Sequence, residues 1–97
     1  MKESTIEKSI SKEAFRRGWL NYKFKTANHR GVPDRIFMRN GVMFFVEFKS
    51  EGGKVTELQK YQHERITTHG FNVHIIDNIE SGYAMLDSYD FEEIERE

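Results

Sequence analysis

The stretch PDRIFMRNGVMFFVEFKS, Pro33 to Ser50, decides the fold. Asp34 to Arg39 reads as a strand. The Asn40-Gly41 pair behind it tolerates the positive φ of a type I′ turn and is the strongest short signal for a hairpin. The next strand, Val42 to Ser50, is therefore antiparallel to the first, and its apolar start, Val42-Met-Phe-Phe-Val46, fits a strand covered on both faces. Glu51-Gly-Gly-Lys54 breaks the pattern. Thr56 then caps a helix running to about His69, which Gly70 stops. The β-branched run Phe71 to Asp77 follows as a strand parallel to Val42–Ser50, because a helical crossover joins the two.

Upstream of the hairpin, Ile6, Ile10, Ala14 and Phe15 lie near one helical face, which predicts a helix from about Thr5 to Arg17 ended by Gly18. Ser4 and Glu7 have capping-box spacing at its start. In Trp19 to Thr26, Leu20, Tyr22 and Phe24 alternate with Asn21, Lys23 and Lys25, the period of a strand with one wet or functional face. Ala27 to Pro33 reads as a loop. A short last helix, Glu80 to Ser88, leads into an acidic tail, about residues 89–97, that is expected to fray. The whole is one α/β domain over residues 1–97 with the order αβββαβα, a mixed sheet flanked by helices.

Ninety-seven residues allow one modest core, and with 32% charged residues many apolar side chains must lie near the surface, which favours self-association. The absence of cysteine excludes disulfides and thiolate metal sites. His29, His63, His69 and His74 show no zinc spacing. No stretch approaches the roughly 20 apolar residues of a membrane span, and Met1 to Ser11 has no signal-like run, so a soluble protein is expected; a cytoplasmic setting fits the lack of cysteine but does not follow from it. The net charge of −1 hides a division: residues 1–65 hold fourteen Lys and Arg against eight Asp and Glu, and residues 66–97 hold one against eight. A basic body with an acidic end attracts phosphates through one face, although the same charges also suit an ordinary solvated surface.

The chemistry gathers at the hairpin. Glu47 and Lys49, two apart on a strand, share one side of the sheet, and pairing across Asn40-Gly41 can bring Asp34 beside them. Two converging carboxylates suit Mg²⁺, which takes one or two of them, keeps several waters and leaves positions for phosphate oxygens. Taken alone, Glu47 and Lys49 also fit a cross-sheet ion pair, with Asp34 capping a loop.

Gly31-Val-Pro-Asp-Arg35, Phe45-Val-Glu-Phe-Lys49, Gly52-Gly-Lys54 and Leu58-Gln59 resemble the virus-type replication-repair nuclease (VRR-Nuc) family of the PD-(D/E)xK nuclease superfamily. The likeness runs from about Glu7 to Asp77 and includes the order of helices and strands. It implies a restriction-endonuclease-like core and a Mg²⁺-dependent endodeoxyribonuclease in which Mn²⁺ can substitute. Asp34 and Glu47 would be metal ligands with the backbone carbonyl of Phe48 as a third. Lys49 would be the catalytic lysine and Gln59 the glutamine carried on a helix. Glu7 would approach the metal through water, a role that competes with the capping box. Lys23, Lys25, His29, Arg30, Arg35, Arg39 and Lys54, near the motif in sequence, would clamp DNA phosphates with little base reading.

Within that family, stand-alone members resemble Holliday-junction resolvases, which act as two-fold dimers, so branched DNA is the first expected substrate and a homodimer the expected assembly. Ile75, Ile79, Tyr83 and Leu86 are candidates for the dimer surface or for the core. The resemblance also implies a bacterial or phage-infected cell as the setting. Cleavage of flaps, nicks or ends is one alternative. A catalytically silent DNA-binding accessory protein is another, disfavoured because Asp34, Glu47 and Lys49 are all present.

Overall fold

The computed structural model describes residues 1–96, in the order α1 (Glu3–Arg16), β1 (Leu20–Lys23), β2 (Arg35–Arg39), β3 (Val42–Phe48), α2 (Glu57–Thr68), β4 (Asn72–Ile76) and α3 (Ile79–Arg96). Asn40 and Gly41 take φ of 49° and 80° as the hairpin requires, and Arg39 pairs with Val42 and Arg35 with Val46. The sheet runs β1-β2-β3-β4, antiparallel except for β3 with β4, which are parallel across the α2 crossover. The expected αβββαβα mixed sheet is the architecture found.

One face of the sheet carries the main core. Phe37, Phe44, Val46, Phe48 and Ile76 bury there against Ile6, Ile10 and Ala14 of α1 and Met85, Leu86 and Tyr89 of α3. Phe44 is the centre: it stacks on Phe37 and Tyr89 at centroid distances of 5.0 and 4.3 Å and meets the edge of Trp19 at 4.9 Å. A Cβ on Gly82 would stand 2.3 Å from Ile10 Cδ1, so glycine is what lets α3 lie directly on α1.

The other face is covered by α2, which packs on β4. Its cover does not extend to β1, and this reverses one expectation. The period of two in β1 is correct, but Leu20 and Tyr22 are 48% and 55% exposed, while Asn21 and Lys23 turn toward α1. An edge strand without a helix above it leaves its apolar side chains in water, and polar partners on α1 claim the other side.

Two helix ends also differ from the sequence reading. Lys2, not Ser4, is the N-cap of α1, and it makes no side-chain cap hydrogen bond. Ser4 lies inside the first turn, so the Ser4–Glu7 capping box is not formed. At the far end α3 continues to Arg96, where fraying from residue 89 was expected; residue 97 lies outside the described residues. Side chains hold the extension in place: Tyr89 enters the aromatic core, Asp90 pairs with Arg17 and Arg39, and Glu93 pairs with Arg39. Acidity that reads as a solvated tail is the complement of arginines distant in sequence. Leu86 is fully buried and Ile79 packs against the core, which leaves only Ile75 and Tyr83 of the proposed dimer set exposed.

Candidate active site

The site lies where the start of β2, the end of β3 and the N-termini of α1 and α2 meet. Asp34 stands just before β2, and its Oδ2 accepts the backbone N–H of Phe48 at 2.7 Å, which ties the two ends of the hairpin together. Glu47, 2% exposed, projects from β3 to the α2 side. Gly31 lets the intervening loop cross the start of α2: its φ is +89°, and a Cβ would stand 2.9 Å from Leu58 O, so a larger residue would push the loop and Asp34 away from the helix.

Carboxylate oxygens of Asp34, Glu47 and Glu3 lie within 4.8 Å of one another. Burial pushes the Asp34 carboxyl up to about 6; the Phe48 N–H opposes this, and the negative charges of Glu47, Glu7 and Glu3 add to it. The third acidic residue of the cluster is Glu3, one helical turn before the expected Glu7. Glu7 Oε2 is instead held by Arg35 Nε at 2.8 Å and Lys23 Nζ at 3.2 Å. Glu3 was open to detection, since it lies four residues before Glu7 and so on the same helical face.

Lys49 Nζ is 3.4 Å from Glu47 Oε2 and donates to Gln59 Oε1 at 2.8 Å. Gln59 makes four hydrogen bonds at once. Its Oε1 also accepts the Thr56 N–H at 2.9 Å, its own N–H bonds Thr56 Oγ1 at 3.1 Å, and its Nε2 donates to Glu47 Oε2 at 3.3 Å. The capping box of α2 and the Glu47–Lys49 pair therefore share one amide.

Among the basic residues, Lys23, Lys25, His29, Arg30 and Lys54 are exposed. Arg35 is largely buried and bound to Glu7 and to Asn21 Oδ1 at 3.0 Å. Arg39 is directed away from the site, onto the Trp19 ring at 4.2 Å and the acids of α3. His63, not expected to take part, is buried on α2 with Nε2 at 3.7 Å from Glu47 Oε1. The only sequence signal for it is its place one turn beyond Gln59.

A hairpin bringing Asp, Glu-x-Lys and a helix-borne Gln to one point is a constellation with relatives. The chain is 38% identical over 79 residues to "Putative nuclease p44" of Acyrthosiphon pisum secondary endosymbiont phage 1, covering 80% of this chain and 85% of that protein. A solved VRR-Nuc domain superposes with a TM-score of 0.83 at 27% identity, over 90% of this chain and 96% of that one. The chain belongs to the VRR-Nuc nuclease family. No family profile matches the sequence directly. Within this VRR-Nuc chain the described residues include no helix long and apolar enough to cross a membrane.

Proposed function

We propose that this VRR-Nuc protein is a Mg²⁺-dependent endonuclease that cuts the phosphodiester backbone of branched DNA. The observation that carries the reading is the convergence of three carboxylates within 4.8 Å beside a lysine amine 3.4 Å from one of them. Burial first, and the neighbouring carboxylates after it, disfavour charge on Asp34, and an oxygen-only set suits a hard divalent cation that would offset it. Asp34 and Glu47, with the Phe48 carbonyl, would hold the ion, and Glu3 takes the place on the first helix that the family likeness suggested for Glu7. When bound, the cation polarises the scissile phosphate and offsets charge that develops during in-line attack.

The remaining work falls to the protein. Lys49, as a compact positive charge, orients the attacking water and pairs with the phosphate oxygens. Gln59 sets where the Lys49 amine stands. Lys25, His29, Arg30 and Lys54, with Lys23 at the edge, attract the backbone and give salt-sensitive, sequence-tolerant binding. A two-fold dimer matches the symmetric strands of a four-way junction, and of the residues expected at its surface Ile75 and Tyr83 are exposed.

The test is cleavage of labelled four-way junction, flap and linear duplex by wild type and Lys49→Ala, each with Mg²⁺, Mn²⁺ or EDTA. Junction cleavage that needs metal and falls by roughly 10²–10³-fold in the variant is expected. Binding without cleavage of any substrate would leave a DNA-binding accessory protein as the better account, and preferential cutting of flaps would replace the junction as substrate. Sedimentation of the same sample reads the dimer.

A further inference from the structure

The two oxygens of the Glu47 carboxylate have different surroundings. Oε2 faces the site, with Gln59 Nε2 at 3.3 Å and Lys49 Nζ at 3.4 Å. Oε1 is turned to the interior and has no hydrogen-bond partner among the described residues. The polar side chain directed at it is His63, whose Nε2 lies 3.7 Å away and is likewise buried without a partner. Both side chains are nearly closed to solvent, 3% exposed for Glu47 and 10% for His63.

Two orphaned, complementary polar atoms facing each other inside a protein are not a neutral arrangement. Leaving a buried donor or acceptor unpaired costs about 1–3 kcal/mol, more for a charged group. The gap is longer than a hydrogen bond, and a change of less than about 1 Å in either side chain closes it. Among the described residues no other group hydrogen-bonds the imidazole ring, although Lys60 and Glu64 line the same hollow. Its neighbours around the adjoining hollow include Val55, Val73 and Ile75, and the Thr67 hydroxyl bonds the His63 backbone carbonyl, not the ring.

Gln59 and His63 stand one turn apart on α2, and each addresses a different oxygen of Glu47. Rotation of the carboxylate about its terminal bond would exchange Oε1 and Oε2. A donor on each side makes the two oxygens inequivalent and fixes which one is presented to the acidic cluster.

We propose that His63 is a positioning residue for Glu47: from beneath the site its Nε2–H holds Oε1, so that Oε2 is set toward the cation and Lys49. This rests on the reading of Glu47 as a metal ligand. Partners that orient a ligating carboxylate are worth about 10–100-fold in metal affinity.

The test is Mn²⁺ affinity by titration calorimetry on the full chain without DNA, for wild type, His63→Leu, His63→Asn and His63→Gln, with the metal dependence of cleavage measured in parallel. In His63→Leu the Mn²⁺ Kd should rise about 10–100-fold, with the half-saturating metal concentration for cleavage rising in step. His63→Gln, long enough to place an amide N–H near the position of imidazole Nε2, should restore affinity to within about threefold. His63→Asn keeps polarity but is too short to reach, and should bind as weakly as the leucine variant; it serves if leucine prevents folding. Wild-type Kd in a folded leucine or asparagine variant would overturn the role of His63 alone. Absence of Mn²⁺ binding by wild type would overturn the metal site itself, and this inference with it.

Discussion

Lys49 Nζ and the Thr56 backbone N–H are bound by the same atom, Oε1 of Gln59, at 2.8 and 2.9 Å. The start of α2 is thus mechanically joined to the amine that the proposed chemistry uses. Gln59→Ala removes half of the capping box and the contacts to Lys49 and Glu47 together. It should lower stability by roughly 0.5–2 kcal/mol and slow cleavage at saturating metal, read as a drop in kcat in single-turnover assays. Gln59→Glu keeps an acceptor for Thr56 and Lys49 but turns a carboxylate oxygen toward Glu47 Oε2. It should preserve the melting temperature better than alanine does while still impairing cleavage. Equal damage to stability from both variants would argue against the shared-atom account.

Asp34 opposes folding in the metal-free protein. Its folded carboxyl titrates near 6, above the usual value of about 3.9, because burial and neighbouring carboxylates disfavour the charge. Between those values the folded state binds more protons than the unfolded state, so this group's contribution to stability falls as pH rises through that window and is flat above it. Asp34→Asn should therefore stabilise the metal-free chain at neutral pH, by roughly 1–2 kcal/mol after allowing for partial solvation, with little gain near pH 4. The amide oxygen can still accept the Phe48 N–H. Cleavage should be abolished. Thermal melts of both proteins in EDTA across pH 4–8 read the effect, and a pH-independent difference would contradict this reading.

Glu3 and Glu7 should separate by assay. Glu3 is exposed and belongs to the acidic cluster, so Glu3→Gln should raise the metal concentration needed for half-maximal cleavage and barely move the melting temperature. Glu7 is the partner of the largely buried Arg35, so Glu7→Ala leaves a guanidinium short of an acceptor and should lower stability by about 1–3 kcal/mol. The opposite pattern, a metal effect confined to Glu7, would return the metal-facing role to that residue.

The end of α3 is structural. Truncation after Ser88 removes Tyr89 from its stack on Phe44 and takes Asp90 and Glu93 from Arg17 and Arg39. The loss of one large buried aromatic is by itself worth about 3–5 kcal/mol, a large part of the stability of a domain this size. The truncated chain should be largely unfolded by circular dichroism at 37 °C, whereas Ile94→Ser, at a position 70% exposed, should melt like wild type.

Only the family resemblance pointed to Gln59, while the sequence by itself determined the hairpin and the order of elements and made the meeting of Asp34, Glu47 and Lys49 possible. These follow from local rules: Asn40-Gly41 imposes an antiparallel return, a period of two fixes which residues share a face, and Thr56 announces the start of a helix. The reach of α2 across the sheet, and hence the exposure of Leu20 and Tyr22, was decided only in three dimensions, because alternation gives the period of a strand but not which side is covered. Tertiary structure also kept α3 helical to Arg96, since Tyr89, Asp90 and Glu93 on it are held by Phe44, Arg17 and Arg39, far away in the chain. It placed Glu3 in the acidic cluster by committing Glu7 to Arg35, and it brought His63 beneath Glu47. In each case the deciding partner is distant in sequence, and a pairing between distant charges has no local pattern from which it can be read.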